Sequence, residues 1–145
     1  MDKSIKTEIV INASKEKVWQ ILTDFSNYPT WNPFIVSIKG DLLRSKRLVN
    51  TLASGSKTYV FKPKILSIVQ NQYFDWVGKL FISGLFDGHH YFEIDELSPN
   101  QIKFTQGEYF SGILSNYILK KIGDETRNNF VRMNAALKAK AETSL

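Results

Sequence analysis

The sequence predicts an α+β domain in which a curved antiparallel sheet of about seven strands wraps around a long C-terminal helix. Three observations support this fold class. The chain opens with a strand and a helix, its middle part alternates in polarity between closely spaced turns, and residues from 113 onward repeat apolar side chains every three or four positions. Strands joined by short turns pair in antiparallel fashion, and a helix with one apolar face needs another layer to cover it.

The N-terminal part of the chain predicts one strand, one helix and an irregular connector. Residues 5–11 alternate, with isoleucines on one face of the strand. Ser14 is a typical N-cap for a short helix through residue 23. The connector over residues 24–33 contains prolines and asparagines, which disfavour a long helix. We expect its aromatic residues to pack inward and to close one end of the domain. They are Phe25, Tyr28 and Trp31.

Alternating polarity predicts six strands after this connector, separated by turn residues such as those at 98–100. Pro63 falls inside one otherwise regular strand, and a proline in that place predicts an edge position or a bulge. From residue 113 the period becomes helical and continues to the end of the chain, with Gly123 as a possible bend. The predicted strands cover residues 34–43, 46–54, 57–69, 72–82, 86–97 and 101–111.

The composition indicates one globular domain over residues 1–145. Aromatic residues make up 13% of the chain, which is a large supply of flat side chains for the wall of a cavity. The formal net charge is +5, but the basic residues occur as pairs in different elements. We interpret them as solubilising charge rather than as a surface for nucleic acid or anionic membranes, and we predict no nucleic-acid partner.

The sequence contains no cysteine, which excludes disulfides, a thiolate nucleophile and a cysteine-based metal site. Its two histidines, His89 and His90, are neighbours that point to opposite faces of a strand, so we predict no metal site. We find no phosphate-binding loop and no glycine-rich cofactor fingerprint, and we predict no cofactor. Signal-peptide and membrane-span patterns are also absent from the sequence, so we expect a soluble cytoplasmic protein without integral membrane association.

The most informative segment is residues 84–112, which is typical of two strands that meet in a hairpin. His90 shares a face with the apolar residues of its strand, and Gln106 and Glu108 fall on the apolar face of the next strand. Burying such groups without partners costs on the order of a few kcal/mol each, so this face predicts a pocket rather than a solid core. If a bulge accompanies the turn, His90 and Glu108 become direct cross-strand neighbours.

Four stretches of the chain resemble the START-like, or SRPBCC, superfamily, whose helix-grip fold occurs in polyketide cyclases and dehydrases, lipid-transfer domains and birch-pollen-allergen-like proteins. They are similar to the family's first strand, helix and aromatic turn, to its strand with a Gly-x-His, to the next strand, and to the end of its long helix. The resemblance implies a cavity for an apolar or amphipathic small molecule. The stretches are IVINASKEKVWQILTDFSNYPTWNPFI, LFDGHHYFEI, IKFTQGEYFSGIL and FVRMNAALKAKAE.

Two functions fit these observations. The first is binding of a small hydrophobic or amphipathic ligand of lipid, polyketide or aromatic type in a cavity between the sheet and the last helix. The second is a cyclase/dehydratase-type enzyme that uses His90 and Glu108 as an acid/base pair in that cavity. The same two residues could instead form an ion pair without chemistry, and a protein-interaction module of the same fold is a third interpretation. The oligomeric state stays open.

The predicted ligand-binding residues are the inward-facing aromatic and polar side chains of the hairpin, together with aromatic residues of the connector, the middle strands and the start of the long helix. Several have an alternative role, since a tryptophan can fill a core as well as line a wall, and a tyrosine at a helix start can lie at the surface. The predicted set is Trp31, Phe34, Phe61, Trp76, Phe86, His90, Phe92, Phe104, Gln106, Glu108, Phe110, Leu114 and Tyr117.

Overall fold

The structure is a computed structural model that describes residues 3–79 and 86–143. Its elements follow the predicted order of strand, short helices, successive strands and long helix. They are β1 (Ser4–Ile11), α1 (Lys15–Thr23), a turn of 3-10 helix (Phe25–Asn27), α2 (Tyr28–Trp31), β2 (Ile35–Lys39), β3 (Val49–Ser54), β4 (Lys57–Phe61), β5 (Lys64–Val69), β6 (Tyr73–Lys79), β7 (Asp87–Ser98), β8 (Gln101–Ser111) and α3 (Ser115–Glu142).

The described strands form two antiparallel sheets. The larger sheet has the order β1-β8-β7-β6-β5, and the smaller has the order β2-β3-β4. β3 pairs with β4, β5 with β6 and β7 with β8 across short turns, and β1 completes the larger sheet by pairing with β8. The predicted fold class is confirmed: an antiparallel sheet curves around a long C-terminal helix, with eight described strands where the sequence predicted about seven.

Pro63 separates two strands that the sequence predicted as one strand over residues 57–69. The chain forms β4 and β5 instead, and Lys62 and Pro63 lie between them. Proline has no N–H to donate to a strand ladder, and its carbonyl accepts a hydrogen bond from the Leu48 N–H at 2.9 Å. Both flanking strands lie at the edges of their sheets, as the prediction of an edge position expects, but the proline falls between two strands rather than inside one.

Three further strands differ from the predicted bounds. β3 begins at Val49 rather than at residue 46. β2 ends at Lys39 because Gly40 turns the chain with φ of +120°, a left-handed conformation that favours glycine. The strand predicted over residues 72–82 corresponds to β6 as far as Lys79, and residues 80–82 lie outside the described residues. The hairpin strands β7 and β8 match their predicted bounds to within one residue.

The aromatic connector closes one end of the core, as predicted. Ser14 caps α1 by accepting a hydrogen bond from a backbone N–H of its first turn at 3.2 Å. Tyr28 is fully buried, and its hydroxyl donates to the Leu22 carbonyl at 2.5 Å. The Tyr28 ring packs edge-on against Phe25 and Trp31, with centroid distances of 5.5 and 5.1 Å. The cluster therefore satisfies its one buried hydroxyl and fills this end with rings.

The two halves of α3 differ in burial. In the C-terminal half, the apolar stripe of Phe130, Met133 and Leu137 is fully buried. In the N-terminal half the apolar stripe is less buried, since Ile118 is half-buried and Ile122 is exposed. One half of the helix therefore packs closely in the core, and the other half leaves space beneath it. No helix in the described part of the chain is both long enough and apolar enough to cross a membrane.

Candidate functional site

A cavity of about 400 Å³ lies beneath the N-terminal half of α3. The larger sheet supplies one wall through β6, β7 and β8, and the hairpin of β3 and β4 supplies another. Its volume lies in the usual range for small-molecule sites, roughly 300–1,000 Å³. Most of its surface is apolar, with a few polar side chains at the sheet and beside α3, so it suits a ligand that is mainly apolar.

Seven of the predicted ligand-binding residues lie on the wall of this cavity. Two of them, Phe86 and Phe110, lie parallel, with ring centroids 5.3 Å apart and 2° between the ring planes. The two rings stack on each other and form an apolar part of the wall. Their part in ligand binding stays a prediction. The seven are Phe34, Phe61, Trp76, Phe86, His90, Glu108 and Phe110.

The other six predicted residues lie away from the cavity wall. Three face inward but are buried in the solid part of the core, one packs at the closed end, and two lie exposed at the start of α3. Alternation along a strand predicts which face a side chain takes, but not how much of that face the helices cover. In the same order, the six are Phe92, Phe104 and Gln106, then Trp31, then Leu114 and Tyr117.

His90 and Glu108 are direct cross-strand partners at the cavity wall. A register shift just before the turn of the hairpin sets this pairing, which is the condition under which the sequence predicted it. His90 is 4% exposed, and its Nδ1 atom lies 3.5 Å from Oε1 of Glu108. That separation is longer than an ideal hydrogen bond, so the two groups are neighbours rather than a tightly bonded pair.

A chain of buried side chains holds the other nitrogen of His90. Its Nε2 atom lies 2.9 Å from Oε1 of Gln106, whose Nε2 donates to Oδ1 of Asn134 at 2.8 Å. Asn134 in turn donates to the Thr7 hydroxyl at 2.8 Å, and that hydroxyl donates to the backbone carbonyl of Gln106 at 2.8 Å. All four side chains are buried, and together they connect β7, β8, α3 and β1.

The direction of the hydrogen bonds in this series of side chains fixes the tautomer of His90. The backbone carbonyl of Gln106 can only accept, so the Thr7 hydroxyl must donate to it and accept from the amide of Asn134. The oxygen of Asn134 then accepts from Gln106, which leaves the Gln106 oxygen to accept from His90. Nε2 of His90 therefore carries the proton that is donated to Gln106. Nδ1 faces Glu108.

Aromatic rings surround the imidazole of His90. The ring centroids of Trp76, Phe92 and Phe130 lie 5.6, 4.7 and 4.9 Å from it. A charged imidazolium among such groups is costly unless a carboxylate compensates it, and Glu108 is the carboxylate in place. His90 and Glu108 thus lie side by side at the wall of an apolar cavity. This arrangement can orient a polar group of a ligand or transfer a proton to it.

Gly88 provides the space for the carboxylate of Glu108. A Cβ atom at this position would lie 2.2 Å from Oε2 of Glu108, far inside van der Waals contact. We expect Gly88→Ala to displace the carboxylate, to separate it from His90 and to lower the free energy of unfolding by about 1–3 kcal/mol in urea denaturation.

The control for this change is Gly123→Ala in α3, where a Cβ atom would meet nothing within 4 Å. Alanine is the better helix former, so this variant should gain about 0.5–1 kcal/mol. Adding Glu108→Ala to Gly88→Ala should recover stability, because it removes the atoms that clash. Equal stability of Gly88→Ala and the wild type would show that the carboxylate does not need this glycine.

Polar residues also tie the β3–β4 hairpin to α3 at the edge of the cavity. The Ser54 hydroxyl donates to Oε1 of Glu125 at 2.8 Å and accepts from the amide of Asn129 at 3.0 Å. All three side chains lie on the cavity wall. None of these three residues was predicted from the sequence to belong to the site. They hold the hairpin against the helix, and the space beneath is left open.

Sequence reasoning missed Thr7 and Asn134, although each leaves a signal. Thr7 sits on the isoleucine face of β1, and Asn134 falls beside the apolar stripe of α3. A polar residue on a buried face needs a partner, so both positions pointed to a hydrogen bond inside the protein. The sequence could not identify the partners, because Thr7 and Asn134 are 127 residues apart in the chain.

His89 lies on the opposite face of the sheet, as its neighbour position predicts. Its Nε2 atom is 2.6 Å from Oδ2 of Asp75, a buried carboxylate that also accepts from the Tyr73 hydroxyl at 2.9 Å and from the Ser67 N–H at 2.8 Å. Three hydrogen bonds to one carboxylate compensate its burial. His89 therefore belongs to a hydrogen-bonded polar cluster on the outer face of the sheet. The sheet separates this cluster from His90 and the cavity.

Tyr91, on the outer face of the sheet, makes the free energy of unfolding depend on pH in the alkaline range. Burial and the neighbouring Tyr109 raise the pKa of the Tyr91 phenol to about 12. A raised pKa means that the folded state keeps the phenol proton to a higher pH than the unfolded chain does. The stability that this difference contributes is complete below the unfolded pKa, about 10, and is lost as pH rises toward 12. In urea denaturation, stability should fall more steeply above about pH 10 in the wild type than in Tyr91→Phe. Parallel curves would contradict this assignment.

The fold and the site together define a class of protein, a helix-grip domain with an apolar cavity between its sheet and its long helix. Residues 2–142 match the family described as "Polyketide cyclase / dehydrase and lipid transport". The chain belongs to this family, and the resemblance to the START-like superfamily is confirmed. A search of curated proteins finds no match.

Solved structures of three similar proteins share this fold. A START superfamily protein from Mycobacterium smegmatis has 20% identity and a TM-score of 0.72, covering 96% of this chain and 97% of its own. The Zhui aromatase/cyclase from Streptomyces sp. R1128 has 10% identity and a TM-score of 0.78, covering 96% and 93%. A norcoclaurine synthase point mutant from Thalictrum flavum has 13% identity and a TM-score of 0.70, covering 96% and 93%. At these identities the likeness is one of fold.

Proposed function

We propose that this protein binds a small, largely apolar ligand in the cavity beneath the N-terminal half of α3. The observation that supports the proposal is a cavity of about 400 Å³ with aromatic walls and one buried polar pair on them. Apolar ligand surface that leaves water contributes roughly 25 cal/mol per Å² before the costs of association. The family's description as polyketide cyclase/dehydrase and lipid transport agrees with ligands of lipid, polyketide or aromatic type.

The His90–Glu108 pair gives the sheet side of this cavity a point of polar recognition, separate from the polar group of Ser54, Glu125 and Asn129 beside α3. Between them, His90 and Glu108 can donate and accept a hydrogen bond, so they suit a ligand hydroxyl or carbonyl. The stacked rings of Phe86 and Phe110 are part of the apolar wall for the remainder of the ligand. A hydrocarbon without any polar group would leave the pair without a ligand partner and should bind less tightly than one with a hydroxyl.

The test begins with the purified protein, examined by native mass spectrometry and by mass spectrometry of its organic extract. Thermal shift with fatty acids, aromatic polyketides and sterol-like probes follows, since a ligand that binds only the folded state raises the melting temperature. We expect a bound species in the extract or a dose-dependent shift with at least one probe class. Neither a bound species nor a shift with any probe would contradict the proposal.

A second function, catalysis of the cyclase/dehydratase type, is favoured by the fixed tautomer of His90. The hydrogen bonds through Gln106 hold Nε2 as the donor, so Nδ1 and the carboxylate of Glu108 are the atoms placed to act on a substrate in the cavity. An acid/base pair in a water-poor site needs only to position a substrate and to move a proton. Dehydration and ring closure of an oxygenated carbon chain fall within this chemistry.

The two functions differ in what His90→Ala and Glu108→Gln change. If the pair is catalytic, both variants should lose about 10²–10⁴-fold in turnover of a substrate found in the probe panel while its affinity changes much less. If the pair only recognises the ligand, affinity falls and no turnover exists to lose. Unchanged turnover in both variants of an active protein would exclude the catalytic roles.

A further inference from the structure

Asn50 is a fully buried asparagine whose amide has no hydrogen-bond partner among the residues that the structure describes. Both its oxygen and its nitrogen lack a partner, so an acceptor and a donor are left over together. Burying an amide in this way is costly, and buried polar groups in proteins are nearly always paired. Asn134 shows the usual case, since its oxygen accepts from Gln106 and its nitrogen donates to Thr7. Asn50 can therefore bind a polar group that comes from outside the described chain.

Asn50 lies at the inner end of a row of residues that forms part of the cavity wall. The pairing of β3 with β4 is regular, so Asn50 shares one face of β3 with Leu52 and Ser54, which both line the cavity. Its cross-strand partner on β4 is Phe61, which also lines the cavity. Ser54, at the other end of the row, is hydrogen-bonded to side chains of α3. The row therefore leads from α3, along the apolar wall, to the buried amide.

The indole N–H of Trp76 is a second donor without a partner in this region. Trp76 lies on the cavity wall and is 1% exposed, and its Nε1 atom has no hydrogen-bond partner in the described part of the chain. Gly78 follows two residues later on the same face of β6, and the ring of Phe61 packs there, 2.9 Å from the place that a Cβ atom would occupy. Phe61 thus connects the position of Asn50 with the strand that carries Trp76.

We propose that this inner end of the cavity is a second polar subsite, in which the Asn50 amide and the Trp76 N–H bind an oxygen substituent of the ligand. A hydroxyl or a carbonyl has the matching chemistry, since Trp76 can only donate whereas Asn50 can donate and accept. The inference rests on the proposed ligand-binding function and deepens it, because His90 and Glu108 already supply one polar contact. The ligand class is then an apolar molecule that carries oxygen at two positions.

The first test needs no ligand, because a buried amide without a partner lowers stability. Asn50→Leu keeps the number and branching of the side-chain heavy atoms and removes the polar ones, so it should raise the melting temperature by about 2–6 °C. The matched control is Asn134→Leu, the same change at a buried asparagine whose amide is hydrogen-bonded through both atoms, which should lower it. A melting temperature of Asn50→Leu at or below that of the wild type would overturn the proposal.

The second test compares 1,8-octanediol with 1-octanol by isothermal titration, since the two chains have the same length and differ in one terminal hydroxyl. The wild type should bind the diol at least as tightly as 1-octanol, because both hydroxyls find partners. In Asn50→Leu the diol should lose about tenfold or more in affinity relative to 1-octanol, because one hydroxyl is then buried without a partner. Asn128→Leu, at an exposed asparagine of α3, is the control and should keep the wild-type ratio.

Trp76 gives an independent signal in the wild type. Its indole N–H is one of three in the chain, and nitrogen–proton NMR assigns it by its absence from Trp76→Phe. We expect 1,8-octanediol to shift this resonance. The subsite is overturned, with the binding cavity intact, if 1-octanol binds but the affinity ratio is the same in Asn50→Leu and the wild type, or if the diol leaves the Trp76 resonance in place. Failure of both alcohols to bind the wild type would contradict the proposed function and the subsite with it.

Discussion

Replacing Phe130 with alanine should lower the free energy of unfolding by about 3–5 kcal/mol, the largest effect expected from one side chain of this protein. Phe130 is fully buried in α3, and its ring centroid lies 5.7 Å from that of Phe34 and 4.9 Å from that of His90. The variant loses the burial of a whole ring and leaves a void beside two residues of the cavity wall. Urea denaturation measures the loss directly.

The control for Phe130→Ala is Val131→Ala, the next residue of the same helix, whose side chain is exposed. That change should alter stability by no more than about 0.5 kcal/mol. Because the void in Phe130→Ala adjoins the cavity, we also expect the variant to accept larger ligands than the wild type. A loss of less than about 1 kcal/mol would contradict the close packing of the C-terminal half of α3.

Asn134→Leu should cost about 2–4 kcal/mol, the second large effect. The change removes the acceptor of the Gln106 amide and the donor to Thr7, and it leaves the Gln106 N–H group buried without a partner. Leucine has the same number and branching of side-chain heavy atoms as asparagine, so the change keeps the shape of the side chain and removes its hydrogen bonds. The same hydrogen bonds orient Gln106 toward His90, so the tautomer of His90 should lose its fixed state too.

Two measurements separate these consequences. Urea denaturation compares Asn134→Leu with Asn128→Leu, an exposed asparagine of the same helix that should tolerate the change within about 0.5 kcal/mol. Nitrogen NMR of the histidine rings reports which ring nitrogen of His90 carries the proton. We expect Nε2–H in the wild type and a mixture of tautomers in Asn134→Leu. An unchanged tautomer in a destabilised variant would show that Gln106 is held without Asn134.

Most of the fold was predictable because it follows from local patterns in the sequence. The alternation of β7 and β8 identified the inner face of the hairpin, and a bulge at its turn made His90 and Glu108 partners. The helical period from residue 113 onward predicted α3 nearly to its ends. The strand predicted over residues 57–69 divides at Pro63 into two edge strands, and the sequence does not show whether a proline at an edge is tolerated within a strand or interrupts it.

The site was less predictable because it depends on contacts between distant parts of the chain. Phe92 and Phe104 share the inner face with His90, but the helices cover only part of that face, and the sequence does not say which part. The connection from Thr7 to Asn134 crosses almost the whole chain. A residue's face follows from a period of two or of 3.6, whereas its distance from the cavity follows from the tertiary fold.

The central claim is that the space between the sheet and the N-terminal half of α3 is a binding cavity. Fluorescence titration with 1-anilinonaphthalene-8-sulfonate tests it most directly when Ile122→Trp is compared with Val131→Trp. Ile122 lies on the cavity wall and Val131 does not, while both side chains are exposed on the same helix. We predict one saturable site in the wild type and in Val131→Trp, and a loss of affinity of about tenfold or more in Ile122→Trp. Equal binding in all three proteins, or none in the wild type, would contradict the claim.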